Sequence, residues 1–138
     1  PVNGWNNTDV TVTFAANGDN LSGVASCTAP QTLTNETAGT DVSGTCTDLA
    51  GNVGAPTTVT IKIDKTKPLI TGTRTPAANN NNWNNTPVTV SFACTEQGSV
   101  QSGLANPNVQ GGTLSTEGQG LSVTSTGSCA DNAGNIAI

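Results

Sequence analysis

Two segments of the chain have nearly the same sequence, and this duplication constrains the fold more than any other feature. Residues 5–16 read WNNTDVTVTFAA, and residues 83–94 read WNNTPVTVSFAC. After the shared opening, apolar side chains alternate with polar side chains, mostly threonine, in both segments. A period of two predicts a β-strand with one buried and one solvated face. A repeated strand predicts a repeated domain.

The duplication continues through the rest of the chain in the same order. The Ser-Gly pair at 22–23 matches the pair at 102–103, and DLAGN at 48–52 matches DNAGN at 131–135. The separation between matching residues grows slightly along the chain, as small loop insertions would produce. We interpret the pattern as a tandem duplication.

The repeat predicts two domains, residues 1–65 and residues 66–138. No window shows the 3.6-residue period of a helix, so we expect an all-β chain. The two copies are expected to differ at their edges. A strand at 57–64 closes the first copy, and an additional strand at 69–75 opens the second. The first copy therefore lacks its first strand, and the second lacks its last.

Composition limits the classes of partner. Charged residues make up 9 % of the chain, compared with about 25 % in ordinary soluble domains. The net charge is −5, and only four residues are lysine or arginine. Nucleic acid and anionic membrane surfaces both require a basic patch, so we expect neither partner. No apolar run approaches the roughly 20 residues of a membrane span, so we expect no membrane insertion.

Four cysteines, two in each copy, predict disulfide bonds. The chain has no histidine, and the cysteine spacing is not that of a zinc site. Cys94 continues the inward register of its strand, and Cys129 shares the register of Val123. We expect Cys94–Cys129 to cross the core of the second domain and Cys27–Cys46 to join two strands of the first. Disulfides predict an extracellular location.

Alternating strands, regular turns and bridging cysteines favour a β-sandwich. The chain also resembles bacterial immunoglobulin-like repeats of cell-surface proteins, close to the hyalin-repeat-like group. The WNNT opening, the Ser-Gly loop, the D-x-A-G-N turn and the IDKTKP junction at 63–68 carry this resemblance. It implies two tandem immunoglobulin-like β-sandwich domains that serve as stalk, spacer or adhesive modules. The differently placed cysteine pairs depart from the pattern.

Four aspartates are candidate calcium ligands. Asp48 and Asp131 occupy the D-x-A-G-N turns, Asp64 lies in the linker, and Asp19 lies in a nearby loop. Calcium takes six to eight oxygen ligands, usually including several carboxylates. The alternative is that each turn aspartate caps its own turn by accepting backbone hydrogen bonds.

Trp5 and Trp83, with their asparagine neighbours, are candidate ligand-binding residues, because indole rings stack on the faces of sugars. The alternative is that each tryptophan fills the open end of its own domain. The chain has no tyrosine and only two phenylalanines, so the tryptophans are needed for core volume.

Four asparagines begin acceptor patterns for N-linked glycan. They are Asn6, Asn20, Asn35 and Asn84. An asparagine-rich chain also produces such patterns by accident, and Pro87 after Thr86 handicaps the last one.

These features favour a structural protein over an enzyme. The chain has no histidine, its cysteines are expected to be bonded, and its carboxylates are scattered. We expect a module of an extracellular filament, fibre or stalk, which pairs with further copies of itself or with neighbouring repeats through its incomplete edges. The alternative is an adhesin or carbohydrate-binding module that recognises surface glycans through its Asn- and Trp-rich loops.

Overall fold

The structure is a computed structural model that describes residues 1–18 and 20–137. These residues form short β-strands joined by turns, and none of them lies in a helix, so the all-β prediction is confirmed. None of the described residues therefore belongs to a helix that could cross a membrane. The strands are β1 (Val10–Val12), β2 (Val24–Cys27), β3 (Gln31–Leu33), β4 (Thr37–Gly44), β5 (Cys46–Asp48), β6 (Thr57–Ile63), β7 (Leu69–Thr75), β8 (Val88–Thr95), β9 (Leu104–Asn106), β10 (Val109–Gln110), β11 (Gly112–Leu114), β12 (Thr126–Gly127) and β13 (Ala130–Asp131).

The chain divides into two compact units, unit 1 (Pro1–Lys65) and unit 2 (Thr66–Ile138). The described residues of unit 1 form three two-stranded antiparallel sheets, β1–β3, β2–β5 and β4–β6. Those of unit 2 form the three-stranded sheet β7–β8–β11 and the pairs β9–β13 and β10–β12. The architecture is thus a set of small antiparallel sheets in each unit.

The sequence repeat reappears as repeated strand pairing. In unit 1 Val10 lies opposite Leu33, and in unit 2 the matching Val88 lies opposite Leu114. The pair β2–β5 likewise corresponds to β9–β13. Because the alternation fixes which face of each strand is apolar, a slip of one residue would turn the apolar side chains outward. The shared alternation therefore specifies the same register in both units.

The core of unit 1 depends on its last strand. Val12, Val42, Ile61 and Ile63 are buried, and β6 supplies the two isoleucines. Burying an aliphatic side chain of this size contributes roughly 1.5–3 kcal/mol. Val59 shares the register of these isoleucines in β6 but is not buried with them. It is 41 % exposed because it borders an open cavity of about 610 Å³.

Strand length in each unit follows the number of neighbours. β8 has eight residues and pairs along seven of them with β7, whereas the matching β1 has three residues and pairs only with β3 among the described strands. β4 also has eight residues and pairs with β6. The matching stretch of unit 2, residues 120–127, is a strand only in β12. Backbone groups without a neighbouring strand cannot extend a hydrogen-bonded ladder. Strands are therefore short at one edge in unit 1, at β1, and at a different edge in unit 2, at residues 120–127.

The four cysteines form two disulfides with different structural roles. Cys27–Cys46 links register partners within the β2–β5 pair. Cys94–Cys129 links β8 to the residue that precedes β13, which belongs to a different sheet. Among residues 66–137, the buried apolar side chains are Pro68, Cys129 and Ala133. The second disulfide therefore connects sheets where no valine, leucine, isoleucine or phenylalanine is buried.

Removing Cys94–Cys129 should destabilise the chain more than removing Cys27–Cys46. Their sequence separations of 35 and 19 residues correspond to about 4 and about 3 kcal/mol of loop-closure entropy. Loss of the buried Cys129 sulfur adds a packing cost to the first of these. Urea unfolding of the Cys94→Ala/Cys129→Ala and Cys27→Ala/Cys46→Ala variants measures both changes. The reverse order of stability would contradict this assignment of roles.

Candidate functional site

The D-x-A-G-N turn of unit 1 is closed by one carboxylate. Asp48 accepts hydrogen bonds from the backbone N–H and the side-chain Nδ2 of Asn52, both at 2.7 Å, and from Ser22 Oγ at 3.0 Å. Gly51 has a φ of 91°, a left-handed conformation that glycine adopts without steric cost. Hydrogen bonds from the side chain and then from the backbone of Asn52 lower the pKa of Asp48 below its ordinary value. The residue that was a candidate ligand therefore caps its own turn.

Unit 2 repeats this turn in a more buried setting. Asp131 accepts the Asn135 backbone N–H at 2.8 Å and Asn135 Nδ2 at 2.7 Å. Gly134 has the same φ, 91°. Asp131 is 1 % exposed and Asn135 is 7 % exposed. A buried carboxylate is tolerated when hydrogen bonds replace its lost hydration, and the asparagine supplies two of them.

The other two candidate calcium ligands are Asp19 and Asp64. Asp19 lies outside the described residues. Asp64 is fully buried, and its backbone N–H donates to the Asn6 carbonyl at 2.9 Å. Among the described residues of unit 1, Asp48 belongs to no group of three or more carboxylate or thiolate ligand atoms.

Glu96 is a candidate ligand that the sequence analysis missed. Its carboxylate lies within 4.8 Å of the Asp131 carboxylate in unit 2. The signal was available, since Glu96 continues the inward register of Val90, Phe92 and Cys94 one residue beyond β8. Two carboxylates at this separation repel each other, and a cation bound between them would relieve the repulsion. They supply at most four of the six to eight oxygens that calcium takes.

The two tryptophans, which have the same sequence context, have different surroundings. Trp5 is half-buried, and Lys62 Nζ lies 5.6 Å from the centroid of its ring. The next residue, Asn6, donates its backbone N–H and its Nδ2 to the Lys62 carbonyl, both at 3.0 Å, and forms a parallel bridge with Ile63. In unit 1 this motif therefore runs alongside β6 and is covered by it.

Trp83 is 54 % exposed, and its backbone N–H donates to Asn79 Oδ1 at 3.0 Å. Asn84 Nδ2 donates to the carbonyls of Pro76 and Ala77, at 3.2 and 3.1 Å. A cleft of about 780 Å³ opens beside this tryptophan, and we call it the unit 2 cleft. Its lining includes Trp83, Asn84, Val90, Leu114, Glu117 and Val123.

The four candidate glycosylation sites differ in accessibility. Asn20 and Asn35 are exposed. Asn6 and Asn84 are half-buried, and their amide nitrogens donate to backbone carbonyls. A glycan on either of these two would replace an amide proton that these bonds use. Glycosylation at Asn20 and Asn35 stays a prediction that an intact mass measurement of the natural protein tests.

Comparison of the chain with protein-family models, with curated proteins and with solved structures gives no match. Function is therefore inferred from the residues and contacts of the chain itself.

The Asp48 turn predicts a specific pH dependence of stability. Because the pKa of Asp48 is lower in the folded chain, its carboxylate contributes stability above the unfolded pKa, and this is lost as the pH falls through the folded pKa. The stability difference between the parent and Asp48→Asn should thus be largest near neutral pH and shrink between about pH 5 and about pH 2. Urea unfolding across this range measures it. Asp41→Asn, on the exposed face of β4, is the control, and parallel profiles for parent and Asp48→Asn would contradict the role of this carboxylate.

Calcium binding, predicted for Asp19, Asp48, Asp64 and Asp131, stays a prediction, and Glu96 beside Asp131 offers a direct test of it. A bound ion would raise the midpoint of thermal unfolding in calcium relative to chelator, since a ligand of the folded chain stabilises it. Glu96→Gln would abolish that increase, whereas Asp41→Asn would keep it. Equal midpoints in calcium and in chelator for the parent chain would contradict calcium binding.

Proposed function

We propose that this chain is a structural, non-catalytic module of an extracellular filament, fibre or stalk, built from two tandem immunoglobulin-like sandwiches. The observation that carries the proposal is that the D-x-A-G-N motif closes a turn in the same way in both units. Asp48 with Asn52, and Asp131 with Asn135, make matching sets of hydrogen bonds that close matching turns. Repetition of a structural element without a repeated reactive group is typical of modular scaffolds.

The surface chemistry supports the same proposal. Hydroxyl side chains pair across the strands at the same place in both units, Thr11 with Thr32 at 2.9 Å and Thr89 with Thr113 at 3.1 Å. Such cross-strand pairs stabilise a sheet without charge. The two disulfides are compatible with an oxidising, extracellular compartment. A chain with few charges is thereby stabilised through hydroxyl pairs and covalent links.

In the proposed module, neighbours complete each other's sheets. The exposed edges of β1 in unit 1 and of residues 120–125 in unit 2 carry backbone groups that a further strand would satisfy. The neighbour is another copy of the chain or an adjacent repeat of the same type. Assembly is then the function, and no cofactor takes part in it.

The second candidate function is carbohydrate binding by an adhesin module. One observation favours it: Trp83 is half-exposed beside an asparagine-rich cleft, a setting in which an indole ring can stack on a sugar. Trp5 is covered by Lys62, so unit 1 gives this function less support.

Glycan binding separates these two functions. We expect the parent chain to bind no oligosaccharide on a glycan array, because the structural role needs no ligand. Signal that disappears in Trp83→Ala and persists in Trp5→Ala would contradict the structural proposal and establish the second one.

Particle size tests the assembly itself. Light scattering and negative-stain microscopy under non-reducing conditions should show either a discrete species or ordered fibres. Fibres with a regular axial repeat would mean that copies of the chain complete one another, and a discrete monomer would mean that adjacent repeats or other chains do so. Compact or irregular aggregates would contradict a filament or stalk module.

A further inference from the structure

By the sequence repeat, the unit 2 cleft corresponds to the position of β6 in unit 1. Five of its lining residues match residues of unit 1 that contact β6, its continuation or the core that β6 completes. Trp83 matches Trp5, which lies beneath Lys62, and Asn84 matches Asn6, which donates twice to the Lys62 carbonyl. In unit 1 these residues are covered by β6, whereas in unit 2 the matching residues line an open cleft. The contacts in unit 1 therefore indicate what could bind in unit 2.

The apolar lining of the cleft follows the same correspondence. Val90 and Leu114 match Val12 and Leu33, which pack in the core cluster completed by the two isoleucines of β6. In unit 2 both of these residues are only half-buried. Among residues 66–137 no valine, leucine, isoleucine or phenylalanine is fully buried. The cleft is therefore an apolar face that lacks the side chains that β6 supplies in unit 1.

The polar rim of the cleft also matches. Glu36 accepts the backbone N–H of Lys65 at 2.8 Å, directly after β6 in unit 1. Its counterpart Glu117 lines the cleft. One contact differs, since Lys65 Nζ forms an ion pair with Asp9, and Pro87 stands at that position in unit 2. Compared with unit 1, the rim of the cleft retains a carboxylate that can accept a backbone N–H, which is Glu117. It lacks the carboxylate that pairs with a lysine in unit 1.

We propose that the unit 2 cleft binds a peptide strand with the chemistry of β6. The strand runs antiparallel to residues 120–127, as β6 runs antiparallel to β4, and its end runs parallel to Asn84. Two β-branched apolar residues, two positions apart, enter the cleft between Val90 and Leu114. The residue between them lies over Trp83, where a lysine gains a cation–π contact.

This inference rests on the proposed structural function and names the partner and register of its incomplete edge. A strand fits the lining better than a saccharide, because aliphatic side chains form one wall of the cleft and sugar hydroxyls would lose their hydration against them. Every strand of the described residues already pairs within its own unit. The proposed occupant is therefore none of the described strands but a further segment with the chemistry of β6.

The test uses Trp83 as the reporter in the full chain. Trp5→Phe leaves Trp83 as the only tryptophan. The probe is a synthetic peptide with the sequence of residues 56–66, PTTVTIKIDKT, and the control peptide carries threonine in place of both isoleucines. We expect a saturable blue shift of Trp83 emission at one peptide per chain, with affinity for the control peptide at least about tenfold weaker.

A matched pair of variants places the site. Val123→Asp puts a charge in the cleft and should weaken binding of the probe peptide by at least about tenfold. Ile136→Asp changes an exposed residue of unit 2 that does not line the cleft, and should leave binding unchanged. Circular dichroism of both variants verifies that they are folded, and equal affinities in folded variants would overturn the assignment.

The remaining outcomes distinguish this inference from the proposed function. A Trp83 shift with neutral oligosaccharides but not with the peptide would overturn both. No shift with either probe would overturn the strand-binding cleft and leave the structural module standing. Self-association that buries Trp83 without peptide, seen by light scattering, would overturn the choice of occupant, because the occupant would be a second copy of the chain.

Discussion

A strand in this protein extends only as far as a neighbour pairs with it. β8 continues for eight residues beside β7, whereas its sequence counterpart β1 has three. β4 continues for eight residues beside β6, whereas its counterpart in unit 2 is a two-residue strand. The same alternation is present in each pair, so intrinsic preference does not explain the difference. Pairing at the edge decides both strand length and the burial of the apolar face beneath it.

The turns behave in the opposite way, because their bonds are local. Asp48 and Asp131 each close a loop with an asparagine four residues later, through hydrogen bonds of nearly equal length. Those bonds form although the neighbouring sheets of the two units differ. The turns of the repeat are therefore specified by neighbouring residues and are the same in both units. The sheet edges depend on residues far away in the sequence and differ between the units. The proposed function is located at the edge, where the two copies differ.

This division also explains what the sequence could predict. Period-two alternation depends on adjacent residues, so the all-β character was readable, and the turn motif identified where the hairpins close. The division of residues 37–48 into β4 and β5 was not readable, because the two strands pair with different partners, β6 and β2. The proximity of Glu96 to Asp131 was missed, and the choice between the two roles of Trp83 stayed open, because both depend on contacts between residues far apart in the chain.

The positions of the basic residues bear on the proposed assembly. Soluble β-proteins commonly protect an open edge with lysine, proline or an inward charge, which makes pairing with another strand unfavourable. This chain has four basic residues in all. Two of them, Lys62 and Lys65, lie at the completed edge of unit 1, where they contact Trp5 and Asp9. The unit 2 cleft contains one, Arg74, alongside half-buried valines and an exposed indole ring. The four basic residues thus include two at β6 and its continuation and one in the cleft, so little charge opposes entry of the proposed strand into the cleft.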